Sequence, residues 1–164
     1  MRWPFFSKLE IAIRSAKATD SDKIAELHRE GGFFASWSAQ EIESLMADRA
    51  VVTDTACDSR KSDQLYGFVM SRCAADEAEI LTIAVQSKTR GKGIGRRLLE
   101  AHLPKLAQKG VKILYLEVEE DNRPARVLYE RIGFATAGLR KAYYRKPDGS
   151  LANALIMKLD LDRL

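Results

Sequence analysis

Glycines and basic side chains are concentrated between Thr82 and Leu106. Glu79 to Val85 has the apolar density of a strand, and Gln86 to Arg90 is a polar loop. Gly91-Lys92-Gly93-Ile94-Gly95 then leads into an apolar-striped helix. Strand, glycine loop and helix in that order make a cradle for an anion. Glycine lacks Cβ, so main-chain N–H groups can approach a ligand closely. The start of a helix adds unpaired N–H donors and the positive end of a dipole. Lys88, Arg90, Lys92, Arg96 and Arg97 crowd the same place, and that concentration of positive charge suits a pyrophosphate.

Two common phosphate-binding patterns do not fit. A Walker loop needs Ser or Thr after Gly-Lys, and Gly91-Lys92 is followed by Gly93. A dinucleotide fingerprint needs a further glycine at position 98, which is Leu98. What remains, Arg90-Gly91-Lys92-Gly93-Ile94-Gly95, resembles the coenzyme A loop of the GNAT acetyltransferases. A second string is longer: Leu116-Glu117-Val118-Glu119-Glu120-Asp121-Asn122, then Ala125, then Leu128-Tyr129-Glu130-Arg131-Ile132-Gly133-Phe134. It looks like the second half of the GNAT signature, with the asparagine and tyrosine in place. The resemblance extends over residues 10–160, by order of elements as well as by motif.

Within GNAT the chain is most similar to the bacterial ribosomal-protein-alanine N-acetyltransferases. Arg140-Lys141-Ala142-Tyr143-Tyr144, Asp148-Gly149 and Ala154-Leu155-Ile156-Met157 are similar to that family's ending. Trp37-Ser38 matches a family Pro-Trp-Ser element, except that Ser36 replaces the proline and the preceding aromatic is displaced to Phe34. That departure falls in the loop lining the family's peptide cleft and leaves peptide preference open.

The resemblance implies direct acetyl transfer from acetyl-CoA, a cosubstrate, to an amine, with no metal. It implies Glu117 as general base, with Glu119 in reserve, and Tyr129 as the general acid that protonates the departing thiolate. Ile83, Ala84 and Val85 would present main-chain groups to the pantetheine arm. Arg90, Gly91, Lys92, Gly93, Ile94, Gly95 and Arg96 would hold the pyrophosphate, and Asn122 would contact the coenzyme. Phe34, Trp37, Tyr143 and Tyr144 would face the acceptor. The implied acceptor is the N-terminal α-amine, an alanine, of a ribosomal protein. Neither membrane nor direct nucleic-acid partners are expected, and the expected form is a monomer or weak dimer in the cytoplasm.

Read without the family, the same residues have plainer roles. Glu117 is a half-buried carboxylate paired to a cation, Tyr129 a core tyrosine, Asn122 a helix cap, and Phe34 and Trp37 core aromatics. Tyr143 and Tyr144 are adjacent on a strand and should point to opposite faces, so one of them would be packing. Two other functions stay open: acetylation of a small amine, and a non-catalytic module that binds the coenzyme or the ribosome.

Composition sets wider bounds. The 164 residues suit one domain with a real core, 46% are hydrophobic and 30% charged, and the net charge is +4. That mild basicity favours an acidic cofactor or a ribonucleoprotein neighbour without establishing nucleic-acid binding. Cys57 and Cys73 are too far apart for a metal knuckle, and His28 and His102 add no metal set. Reduced structural thiols in a cytosol are the expectation. No apolar run is long enough to span a bilayer. Residues 1–9 read as a loose extension.

The elements that must position these residues follow from pattern. Ile11 and Ile13 mark a strand. Thr19 to Asp22 supply caps for a helix that ends at Gly31-Gly32, and Ser38-Ala39-Gln40-Glu41 is a capping box for a second. Strands follow at Ala50–Thr53 and Leu65–Ser71, where Gly67 weakens the strand or marks a bulge. The strand at Glu79 comes next, then a helix from Gly93 to Gln108 with a kink expected at Pro104. Val111–Val118 reads as a buried, parallel strand. Asn122 caps a fourth helix that ends at Gly133, and strands over Ala137–Tyr144 and Ala152–Leu159 close the chain as a hairpin. The order β-α-α-β-β-β-α-β-α-β-β predicts an α/β fold with a mixed sheet and helices on both faces, and the resemblance makes it the GNAT acyl-CoA N-acyltransferase fold.

Overall fold

The structure is a computed structural model that describes residues 9–33 and 35–163. Phe34 and all but the last residue of the expected N-terminal extension lie outside the described residues. The strands are β1 (Ile11–Ser15), β2 (Val51–Asp58), β3 (Leu65–Ala74), β4 (Glu77–Val85), β5 (Ile113–Glu119), β6 (Ala135–Arg145) and β7 (Leu151–Asp160). The helices are α1 (Ser21–Glu30), α2 (Ala39–Ala47), α3 (Ile94–Gln108) and α4 (Arg123–Ile132). The element order is the expected one. All seven strands form one sheet in the order β1-β2-β3-β4-β5-β7-β6. The closing hairpin is therefore folded back, with its second strand inserted beside β5 and its first at the edge.

Each face of the sheet has its own core. One holds Leu98, Leu99, Leu103 and Leu106 of α3 with Leu114, Leu116 and Val118 of β5, and Tyr129 of α4 joins them. The other holds Ile24, Ala25 and Leu27 of α1 and Ile42 of α2 against Phe68 and Met70 of β3. The buried stripe of α3 (Ile94, Leu98, Leu99, His102, Leu103, Leu106) has the spacing of one helix face. The helix continues through Pro104.

Local chemistry fixes the ends. The Ser38 capping box forms as expected: the Glu41 N–H donates to Ser38 Oγ, and the Ser38 N–H to Glu41 Oε2 at 2.7 Å. Asn122 caps α4 by accepting from the Ala125 N–H. Gly133 ends α4 at φ +118, a left-handed position that favours glycine. The start of α1 differs from expectation. Asp20 occupies the cap position, but its carboxylate accepts from the Arg14 guanidinium at 2.7 and 3.0 Å and from the Lys17 N–H, so it ties β1 to the helix. At the other end, Gly31 stays right-handed at φ −65 and the left-handed turn is taken by Gly32.

Strand lengths differ too. β2 runs on to Asp58 because its polar residues are covered, Asp54 by α3 and Thr55 on the opposite face, where its hydroxyl donates to the Arg14 carbonyl. Asp54 and Ser71 lie fully buried under that helix together with His102. His102 Nδ1 donates to Asp54 Oδ2 at 2.6 Å, Ser71 Oγ lies 2.8 Å from Nε2, and the Lys105 ammonium pairs with Asp54 Oδ1. The order Ser–His–Asp is that of a hydrolase relay, but no substrate can reach groups with zero exposure. The cluster bolts α3 to β2 and β3. At Gly67 the expected bulge is present: Ala56 and Cys57 pair with Gly67 and Leu65, which leaves Tyr66 as the extra residue. A Cβ on Gly67 would come within 2.8 Å of the Ala84 carbonyl, so only glycine lets β3 and β4 approach there.

Burial raises the Asp54 pKa, but hydrogen bonds from His102 and Lys105 outweigh it and hold the carboxyl below its usual range. Its contribution to stability is therefore complete above the unfolded-chain value near ~4 and is lost as pH falls through the lower native value. Asp54→Ala should cost about 3–5 kcal/mol in urea unfolding at pH 7, the range for a buried ion pair that loses one partner. The deficit relative to wild type should shrink only on acidification below about pH 4.

Candidate active site

The glycine loop and the first turn of α3 expose a row of donors. Gly91 and Gly93 adopt φ +75 and +77, conformations that aim consecutive amides to one side. The main-chain N–H groups from Gly91 to Arg96 find no protein acceptor among the described residues; the first helical bond runs from Arg97 to the Gly93 carbonyl. A Cβ on Gly91 or Gly93 would meet nothing within 4 Å, whereas one on Gly95 would come within 3.1 Å of Leu128. Gly91 and Gly93 thus serve backbone conformation, and Gly95 serves the close packing of α3 on α4. The basic side chains divide in the same way. Arg97 donates to the Ile11 carbonyl, Arg90 Nε to the Val85 carbonyl at 3.2 Å, and Arg96 pairs with Glu100 at 2.6 Å. Lys88 and Lys92 form no ion pair among the described residues.

The cradle opens into a gap in the sheet. β4 and β5 pair in parallel only from Glu77 to Glu79, opposite Ile113 to Tyr115. The parallel pairing expected for β5 is thus confined to its first turn of pleat. Directly afterwards β4 bulges: Met70 and Ser71 face Thr82 and Ile80, which leaves Leu81 unpaired and bends the strand. Gln86 N–H bonds to the Tyr66 carbonyl, and alternation along the antiparallel ladder then turns the amides of Ala84 toward β3 and those of Ile83 and Val85 into the gap. Of the three residues expected to offer main-chain groups, Ile83 and Val85 face the gap and Ala84 does not. The exposed edge can pair with an extended, amide-bearing chain.

Glu117 lies beyond the parting point. Leu116 and Val118 point into the α3–α4 core, so Glu117 projects from the opposite face. Its Oε1 accepts from Arg140 at 2.6 Å. That ion pair is the plainer role foreseen for it, with a partner the sequence reading did not name. Glu119 pairs with Lys146 at 2.9 Å, and Glu120 accepts from Asn153. Tyr129 reaches in from α4 on the other face. It is buried and packs edge-on to Phe134, and its hydroxyl has no hydrogen-bond partner among the described residues although its oxygen is not sealed from the surface. Burial, reinforced by Tyr144, raises its pKa, so the phenol stays protonated. Burial and the negative charge of Glu117 push the Tyr144 pKa up to about 12, and Tyr129 in turn feels Tyr144. Glu117 lies on the stretch of β5 that β4 leaves unpaired.

Tyr143 and Tyr144 do not point to opposite faces. β6 loses register between Arg140 and Tyr144, and Ala142 sits there at φ +52. The two rings stack edge to face at 5.1 Å, with the Arg140 guanidinium 4.4 Å over Tyr143. Simple alternation fails because a bulge intervenes. Trp37 stacks on His28 at 4.7 Å, next to a surface groove lined by Gln40, Glu41, Ser44 and Leu45. Phe34 lies outside the described residues. Asn122 acts as the helix cap at the end of β5. Arg140, Asn153 and the His102 cluster were not singled out from sequence; an arginine two residues past Gly138 on an edge strand carries no local signal.

These residues fit acetyl-CoA. A row of unpaired amides at a helix start matches a pyrophosphate, and a free strand edge matches the amide-bearing arm. Among the described residues no group of His, Cys, Asp and Glu could hold a metal ion, and no helix is long and apolar enough to cross a membrane.

Comparison with known proteins agrees with this geometry. Residues 18–134 match the acetyltransferase (GNAT) family. The [ribosomal protein bS18]-alanine N-acetyltransferase of Haemophilus influenzae is 33% identical over 145 residues, 88% of this chain and 95% of its own. The enzyme of that name from Escherichia coli K12 is 31% identical over 91% of this chain and 97% of its own. The crystal structure of the ribosomal-protein-S18-alanine N-acetyltransferase from Escherichia coli superposes with a TM-score of 0.81 at 29% identity, covering 92% of this chain and 94% of that one. The chain therefore belongs to the GNAT acetyltransferase family, whose acetyl donor is acetyl-CoA.

Proposed function

We propose that this protein acetylates the N-terminal alanine α-amine of a ribosomal protein by direct attack on acetyl-CoA. The acceptor is supported by the relatives, which are named for that reaction at 31–37% identity. The observation that carries the mechanism is the open edge of β4 that leads from the amide cradle, with Glu117 on the facing stretch of β5. The amides of Gly91 to Arg96, with Lys88 and Lys92 beside them, hold the pyrophosphate, and Ile83 and Val85 pair with the pantetheine arm. This lays the thioester across the open sheet between the two faces.

The chemistry then follows from charge. An α-amine with a pKa near ~8 is largely ammonium at neutral pH and must lose a proton to attack. Glu117 accepts that proton. The nitrogen bonds to the acyl carbon, the carbon–sulfur bond breaks, and the sulfur leaves as a thiolate. Tyr129 donates its phenolic proton to that sulfur. The newly acylated nitrogen sheds its second proton to leave the neutral amide, and that proton returns through solvent to the phenolate while Glu117 releases its own to solvent. The burial that raises the Tyr129 pKa also raises the basicity of a thiolate expelled beside it, so the two stay matched for transfer. Tyr143, Tyr144 and Trp37 border the side from which the amine enters.

Incubation with acetyl-CoA and a peptide beginning with Ala from a ribosomal protein, followed by mass spectrometry, should place one acetyl group on the α-amine. Turnover confined to a panel of free small amines would overturn the acceptor. Glu117→Gln and Tyr129→Phe should each lower kcat by ~10²-fold or more, the usual scale for loss of acid–base catalysis, with coenzyme affinity retained. Unchanged turnover in both would leave a coenzyme-binding module instead.

Gly93→Ala tests the cradle. A left-handed alanine costs roughly 1–2 kcal/mol, which predicts coenzyme affinity weakened about 5- to 30-fold by calorimetry. Open space around the new methyl means packing should not add to the loss.

A further inference from the structure

We propose that Arg140 is a positioning residue for the reaction: it clamps one oxygen of Glu117 and leaves the other to take the proton of the incoming amine. This rests on the reading of Glu117 as the base. Register shows how the contact forms. Glu117 pairs with Ile156 and Glu119 with Ala154 across β5 and β7, and Gly138 pairs with Ile156 and Arg140 with Ala154 across β7 and β6. All of these residues lie on one face. Arg140 must therefore cross β7 to reach β5. The path runs over Ala154, a single methyl, and beside Gly138, which has no side chain. A larger residue at Ala154, on the strand between them, would stand between the guanidinium and the carboxylate.

The clamp is held from behind. The Arg140 guanidinium lies 4.4 Å over the Tyr143 ring, a contact that fixes its plane. The bulge that presents both residues has Ala142 at φ +52, a conformation unfavourable for alanine. It is held there by Asn153: the Ala142 N–H donates to Asn153 Oδ1 at 3.0 Å, and Asn153 Nδ2 donates to Glu120 Oε2 at 2.8 Å. The strand carrying Arg140 is thus tied to the residues just past Glu117. The neighbouring carboxylate, Glu119, has its own cation in Lys146, so Arg140 is not shared.

The contact is one-sided. Arg140 Nη1 bonds Oε1, and Oε2 has no hydrogen-bond partner among the described residues. A bidentate grip would occupy both oxygens. A single bond sets the carboxylate plane and keeps one lone-pair direction open. The guanidinium charge disfavours the ammonium form of an amine arriving beside it. Tyr143 and Tyr144 of β6, Glu119 of β5, Lys146 past β6 and Tyr129 of α4 are the other titratable groups around this point. The pair is about half exposed on the arginine side, and exposed pairs add little to stability, so its loss should show in rate rather than in folding.

Arg140→Gln should lower kcat by ~10- to 100-fold, the scale of a misplaced catalytic group. The KM for acetyl-CoA and the urea midpoint should stay at wild-type values. Arg140→Lys should restore most of the rate, because a cation remains. In a Glu117→Gln background Arg140→Gln should cost nothing further. The proposal is overturned if Arg140→Gln leaves kcat unchanged while Glu117→Gln is inactive. An equal loss with or without Glu117 overturns it too. Wild-type turnover by Glu117→Gln would remove the base assignment itself, and this proposal with it.

Discussion

β4 has two edges, and beyond Glu79 only one of them is paired with a strand. Main-chain amides in a sheet are obligatory hydrogen-bonding groups, so an unpaired edge must face either water or a ligand. Here the bulge at Leu81 creates the edge by turning β4 away from β5 just after their last shared pair. The same bulge shifts the alternation of the strand. Ile80 and Ile83 both serve the α3–α4 core, and Leu81 and Ala84 serve the other. β4 therefore stays anchored on both faces while its free edge opens. A chain that paired β4 and β5 to their ends would have a stronger sheet and nowhere to lay an acyl thioester.

Charge is laid out along that opening. At one end, amides with a helix dipole behind them and two lysines without ion-pair partners favour an anion. At the other, the carboxylates of Glu117, Glu119 and Glu120 line the end of β5. Each is paired individually, to Arg140, Lys146 and Asn153. Lys88 and Lys92 follow the C-terminal end of β4, whereas Glu117 lies on β5. The His102 cluster matters to this layout because it fixes α3 against β2 and β3. The amide cradle is the start of α3, and its position relative to the sheet depends on that buried contact.

Much of this was legible from sequence because it is local. The strand–glycine–helix order, the capping box at Ser38, the Asn122 cap and the Gly133 stop all rest on residues within a turn of one another, and the structure has them where the patterns indicate. Asp20 misled because a cap-type residue also suits a salt bridge, and Arg14 was close enough to take it. Residues 54 to 57 misled because polar strand residues look like a strand end until a helix covers them. The inserted position of β7, the parting of β4 from β5 and the Arg140–Glu117 contact have no local signature. They depend on register, and a bulge of one residue changes which side chains share a face. The pair Tyr143-Tyr144 shows it: alternation separates them, and a left-handed Ala142 brings them back together.

The loop around Trp37 shows how a departure from a family pattern can be absorbed. Proline ahead of the tryptophan would fix the backbone through its own ring; Ser36 leaves that φ unrestricted. Here His28 holds the loop instead. The Trp37 N–H donates to His28 Nδ1 at 3.2 Å, and the indole lies on the imidazole at 4.7 Å with the planes 5° apart. Phe33 covers the opposite side of that imidazole at 4.5 Å. An acceptor role requires an unprotonated Nδ1, and burial lowers the His28 pKa, which favours the neutral ring. One buried histidine thus does by stacking and a hydrogen bond what a proline does by covalent geometry. The constraint differs in kind: a proline ring would fix φ directly, whereas here a stack and a hydrogen bond seat the tryptophan.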